Sequence, residues 1–185
     1  MVHQVDDAIF VRRYFGHCLA CSFCGDACCD HGVDVSVVER DRILARADLL
    51  EPLVRVPRAE WFAPVVTADA DFPGAAATRT AVVYGTCVFR QRLARGCLLH
   101  AVALQLGEDY HDIKPMVSTL FPVTFGDGAL LCSEELTDGS LVCAGSGPTA
   151  YEMARGELAH YFGAALVSEL DVVAASLSRN DPGVV

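Results

Sequence analysis

Apolar positions recur at helical spacing in three stretches of the chain and follow strand-like patterns in two others. In "DVSVVERDRILARADLLEP" (34 to 52), Val37, Val38, Ile43, Leu44 and Ala47 share one helical face. Ser36 followed three residues later by Glu39 is a capping-box signature, and Pro52 lies beyond the run, so a helix is predicted. "GCLLHAVALQLG" predicts a short helix opened by Cys97 and closed by Gly107. "PTAYEMARGELAHYFGAALVSELDVVAASLSR" predicts one long helix, 148 to 179, opened by Pro148, with Tyr151, Ala154, Leu158, Tyr161, Phe162, Leu166 and Leu170 in a wide apolar stripe. "RTAVVYGTCVF" predicts a strand with Cys87 near its end, and "FPVTFGDGALLCSEEL" a hairpin around Gly126-Asp127-Gly128 with Cys132 on the returning strand. The small, aperiodic "TADADFPGAAATR" (67 to 79) predicts a surface loop between an N-terminal third and the rest. "AIFVRRYF" is too short to divide between strand and helix. The sum is an α+β fold in a small single domain spanning 1 to 185, without internal repeats.

Composition narrows the function classes. With 52% hydrophobic residues, 185 residues build a sizeable core without disulfides. The net charge of -10, from 24 acidic residues against 13 Arg and one Lys, leaves no basic face to track phosphates, which argues against nucleic acid and anionic membranes as direct partners. Asp6 and Asp7 stand where a signal peptide would begin its apolar core, and no stretch approaches the ~20 uncharged apolar residues of a spanning helix. The expectation is a cytoplasmic protein. In that reducing compartment clustered cysteines serve as metal ligands or redox groups rather than staples.

The chemistry concentrates in "HCLACSFCGDACCDH", residues 17 to 31, which holds five of the nine cysteines. Its spacing, Cys18-x2-Cys21-x2-Cys24-x3-Cys28, matches the run of bacterial ferredoxins, but Cys29 replaces their usual Pro and no second copy follows. A CxxC turn lets two thiolates converge on one ion while the amides of the turn point at sulfur, and two further thiolates complete a shell for zinc or an iron-sulfur cube. Gly25 and Gly32 allow close backbone approach. Cys87 and Cys97, nine intervening residues apart, come together if that segment turns. His17, His31 and His100 are weaker ligand candidates, equally explained as loop or core residues. Cys132 and Cys143, each isolated in sequence, are as well explained as small buried hydrophobes.

The early cluster ending in Cys28-Cys29, then "CVF", then "GCLLHA" followed by a Gly, then "KP" leading to "LFPVTF", resembles the YkgJ-like cysteine-cluster family of bacterial zinc- or iron-chelating domains over residues 18 to 125. The resemblance implies a metal set drawn from Cys21 or Cys24, Cys28, Cys29, Cys87 and Cys97. It also implies a further cysteine between "KP" and "FP", where this chain has Ser118, a poor ligand beside thiolates. Cys18 or Cys132 would compensate, or the position is open to solvent.

Other catalytic machinery is sparse. "GSGPTAYE" reads as a linker with an N-cap rather than an anion site, "GEDYHDIKP" as a solvated loop after a helix stop, and Glu157 with His160 lacks the second helix a di-iron pair requires. The leading expectation is a metal-binding protein with zinc or an iron-sulfur cluster as cofactor. An iron-sulfur enzyme with redox or methyl-transfer chemistry is one alternative. Another is a zinc-stabilised module meeting a protein partner through the C-terminal helix, which requires Tyr161, Phe162 and Leu166 to be exposed.

Overall fold

The computed structural model describes residues 2 to 16 and 18 to 180, apart from the side chains of Cys18 and Asn180. His17 and the Cys18 thiol therefore lie outside the described residues. The chain opens with β1 (Gln4–Val5), α1 (Ala8–Val11) and β2 (Arg13–Tyr14). After the cysteine run come β3 (Asp34–Ser36), α2 (Val37–Ala45), α3 (Ala47–Leu50), β4 (Thr67–Ala68) and β5 (Ala76–Arg79). Next are β6 (Val82–Val83), β7 (Thr86–Cys87), α4 (Leu98–Leu106) and α5 (Met116–Leu120). The chain closes with β8 (Val123–Gly126), β9 (Ala129–Cys132), α6 (Glu134–Thr137), β10 (Ala144–Thr149), α7 (Ala150–Phe162) and α8 (Ala164–Asn180). The fold is α+β, as the hydrophobic pattern predicts. Among the described residues no helix is long and apolar enough to cross a membrane. The chain divides into two compact units, Met1–Gly16 with Leu120–Val185, and His17–Thr119.

The first unit joins the two ends of the chain. β8 and β9 form the expected antiparallel hairpin, turning at Asp127 and Gly128 with φ of 50° and 73°, and β1 adds in parallel along β9. β10 pairs antiparallel with β2. The long predicted helix is two helices, and it starts later. Pro148 belongs to β10, and Thr149 caps α7 in a capping box with Glu152. α7 ends at Gly163, whose φ of 91° and ψ of 157° lie outside any helix and in a region open to glycine. α8 then packs back on α7, with the Tyr151 hydroxyl donating to the Val167 carbonyl at 3.2 Å and to Asp171 at 2.6 Å. The apolar stripe is used within this unit. Tyr151, Ala154, Leu158, Val167 and Leu170 are buried, Phe10 meets the Tyr151 ring at 5.0 Å, and Tyr161, Phe162 and Leu166 are half-buried.

The second unit is built on α2 and α4. The Ser36–Glu39 capping box forms as predicted, and the buried Glu39 carboxylate also accepts the Met116 N–H at 2.7 Å, tying α2 to the start of α5. α4 is bounded by Cys97 and by left-handed Gly107, also as predicted. Two expectations fail here. The segment 67 to 79 is no mere loop: β5 lies between β3 and β4 in a three-stranded antiparallel sheet inside this unit. The predicted strand through Cys87 is a hairpin, β6 against β7, because Tyr84 and Gly85 both take positive φ, 55° and 77°. The core gathers Val35, Ile43, Leu50, Trp61, Phe89 and Leu99, with Trp61 and Phe89 edge to face at 5.5 Å.

Candidate metal centre

Each distal cysteine is anchored by the two residues that follow it. Val88 and Phe89 after Cys87, and Leu98 and Leu99 after Cys97, are buried in the core of the second unit, and both cysteines pack half-buried against it. Between them the chain turns back, since Gln91 N–H donates to the Gly96 carbonyl and Leu98 N–H to the Phe89 carbonyl, and Arg90 bridges Cys97. The nine-residue segment thus brings the two thiols within electrostatic reach of each other.

The cysteine run is docked on this loop by a buried carboxylate. Asp26, 2% exposed, accepts from Arg90 Nε at 3.3 Å and from the Gly96 N–H at 3.2 Å, with Arg95 Nε at 3.5 Å. Arg90 also donates to the Gly25 carbonyl and Arg95 to the Cys21 carbonyl, each at 2.9 Å. Asp26 holds φ of 60° after Gly25 at 64°, so two successive left-handed residues aim the carboxylate inward. Gly32 is also left-handed, and a Cβ there would come within 2.8 Å of the Thr80 carbonyl.

Two thiol groups result. Cys28 and Cys29, on the single 3-10 turn Ala27–Cys29, hydrogen-bond each other, and Cys29 interacts with both Cys97 and Cys87. The hydrogen bond with Cys28, then burial, then the neighbouring thiols push the Cys29 thiol far above its ordinary range. The same bond brings Cys28 down. The other group is Cys21 with Cys24, likewise hydrogen-bonded to each other. Backbone N–H groups are turned toward sulfur along both segments: Phe23 and Cys24 toward Cys21, Asp26 toward Cys24, and Phe89 toward Cys87. In a chain of net charge -10, cations also collect here, with Arg95 acting on Cys21, Arg79 on Cys87, and the single Lys, Lys114, on Cys28.

The remaining candidates stand elsewhere. Cys132 belongs to the first unit, its thiol hydrogen-bonded to Thr137 and raised above its usual range chiefly by burial. His31 is exposed, with its carbonyl accepting from Arg79 at 3.0 Å. His100 stacks on Tyr110 at 4.5 Å, and Ser118 is half-buried on α5. Sequence reasoning missed Asp26, Arg90 and Arg95; the adjacent signal was an acidic residue after a glycine inside the run and a basic "RQRLAR" between Cys87 and Cys97.

The donor set suits zinc or an iron-sulfur cluster in number and softness, with four thiols from two segments. Among the described residues, however, no three Cys, His, Asp or Glu side chains stand close enough to hold one ion. Cys21, Cys24, Cys28, Cys29, Cys87, Cys97 and Cys132 form no disulfide. No protein-family model, curated protein or solved structure matches the chain.

Proposed function

We propose that the chain is a metal-binding protein of a reducing, cytoplasmic compartment that coordinates zinc or an iron-sulfur cluster through Cys28, Cys29, Cys87 and Cys97. The observation that carries this reading is the position of Cys29, which interacts with a neighbour on its own turn and with two thiols from a segment almost sixty residues away. Chance packing of small hydrophobes does not require a thiol to feel two others from a distant segment, or cations to act on neighbouring thiols in an acidic chain. Coordination closes the two loops on the ion, and the Asp26 contacts with Arg90, Arg95 and Gly96 hold those loops side by side beforehand. The bound metal supplies a cross-link between distant segments, which stabilises the second unit by joining loops that are otherwise held by polar contacts.

Metal analysis and a visible spectrum on protein purified without oxygen test the reading, with Cys29→Ser, Cys87→Ser and Cys132→Ser beside the parent. Zinc at about one per chain, or iron with sulfide, is expected in the parent and in Cys132→Ser and is lost in the other two. A parent that is stably folded and metal-free, or metal retained in both Cys29→Ser and Cys87→Ser, would overturn it.

A further inference from the structure

The Cys21–Cys24 pair is chemically distinct from the thiols of the proposed metal set. Its two sulfurs hydrogen-bond each other, while Cys29 finds its thiol neighbours in Cys28, Cys87 and Cys97. Arg95 lies over the pair, donating from Nε to the Cys21 carbonyl at 2.9 Å and placing its terminal nitrogen 3.8 Å from Cys24 Sγ. The two thiols also differ in access: Cys21 is 1% exposed, whereas Cys24 is half-buried and the intervening Phe23 is 56% exposed. Against its burial, the hydrogen bond with Cys24, the backbone N–H groups and Arg95 bring the Cys21 thiol down, whereas burial and the bond with Cys21 push Cys24 up. Cys24 is therefore set apart as the attacking group by its access, and Cys21 as the readily ionised resolving group.

We propose that Cys21 and Cys24 form a redox-active dithiol that exchanges with small-molecule disulfides, independently of the metal set. Cys24, the accessible thiol, attacks one sulfur of the incoming disulfide. A mixed disulfide forms on Cys24, the small-molecule S–S bond breaks, and one thiolate leaves and takes a proton. Cys21, reachable from inside the loop, then attacks Cys24 Sγ. The Cys21–Cys24 bond forms, the mixed disulfide breaks, and the second thiolate leaves and is protonated in turn. The protein loses two electrons and two protons, and the small disulfide is reduced to two thiols.

The test treats protein purified without oxygen with oxidised glutathione, alkylates the remaining thiols, maps the bridges by peptide mass spectrometry and measures metal before and after. A Cys21–Cys24 bridge should form first, with metal content unchanged. Cys21→Ser should accumulate glutathione on Cys24, and Cys24→Ser should accumulate none on Cys21. A first bridge at Cys18–Cys21 or Cys28–Cys29, or metal released in step with Cys21–Cys24 oxidation, would overturn the proposal. The parent mapping needs no variant, so a substitution that fails to fold does not decide the result. Metal-free protein that still forms the Cys21–Cys24 bridge would end the metal reading and support this one.

Discussion

Cys132 in the first unit and Cys29 in the second are both thiols held above their ordinary range, for different reasons. For Cys132 the leading cause is burial, and its partner is the Thr137 hydroxyl. For Cys29 the leading cause is another thiol, and two more follow after burial. One is a small side chain occupying core volume, and the other feels thiols of its own turn and of the Cys87 to Cys97 segment, which the proposed function reads as a ligand set. A thiol held protonated by its surroundings therefore does not by itself distinguish a packed cysteine from a ligand, and the metal content of variants at the two positions does.

The largest effect should separate these two positions. Cys29→Ala should abolish metal binding and remove the stabilisation that chelator removes from the parent. Cys132→Ala should cost about 1 kcal/mol in the first unit and leave metal content unchanged. Denaturant unfolding with and without chelator, together with metal analysis, reads both. Equal metal loss in the two variants would erase the distinction.

Leu158→Ala sharpens the same contrast from the apolar side. Leu158 is fully buried on α7, and its truncation should cost about 3 kcal/mol with metal stoichiometry intact, measured by urea unfolding. If metal were lost with it, the site would depend on the first unit.

Asp26→Asn comes next, because asparagine tolerates the left-handed backbone and removes only the charge that Arg90 and Arg95 share. Both arginines are partly exposed, so the cost is held to about 2 kcal/mol rather than that of a fully buried pair. Metal affinity, measured by competition with a chromophoric chelator, should fall about tenfold, the scale of outer-shell support. Unchanged affinity would show that the loops do not need this carboxylate to meet.

The sequence made legible those features that local chemistry decides. The Ser36–Glu39 cap, the Cys97 to Gly107 bounds of α4 and the Gly126-Asp127-Gly128 hairpin each carry a residue whose side chain or backbone freedom forces the outcome. Tyr84 hid the β6–β7 hairpin, since an aromatic residue is uncommon at positive φ and the pair lacks the usual Asn or Asp. Gly163 hid the break between α7 and α8, because a single glycine is tolerated inside a helical pattern and the apolar stripe continues across it. At the site, the turn that returns the chain from Cys87 to Cys97 was legible from the short intervening segment. The docking of the cysteine run on that segment was not, because it depends on Asp26, Arg90 and Arg95, which are joined across more than sixty residues.

The smallest effect belongs to the first unit, which has an ionic contact of another kind. Arg155 grips Asp171 through two nitrogens, at 2.8 and 2.7 Å, and the Tyr151 hydroxyl donates to the same carboxylate at 2.6 Å. The Arg155 contact first, then Tyr151, hold the Asp171 carboxyl at about 2 against an ordinary 3.8. A carboxyl depressed in the folded state stabilises it fully above 3.8, and that contribution is lost as pH falls through about 2. Asp171→Asn should therefore lower the urea midpoint slightly at neutral pH, with the gap from the parent shrinking below pH 3.8 and closing by about 2. Because Arg155 and Asp171 are both solvent-exposed, added salt should narrow the neutral-pH gap as well. A gap that persists unchanged to acid pH would mean the loss comes from packing at the α7–α8 contact rather than from charge.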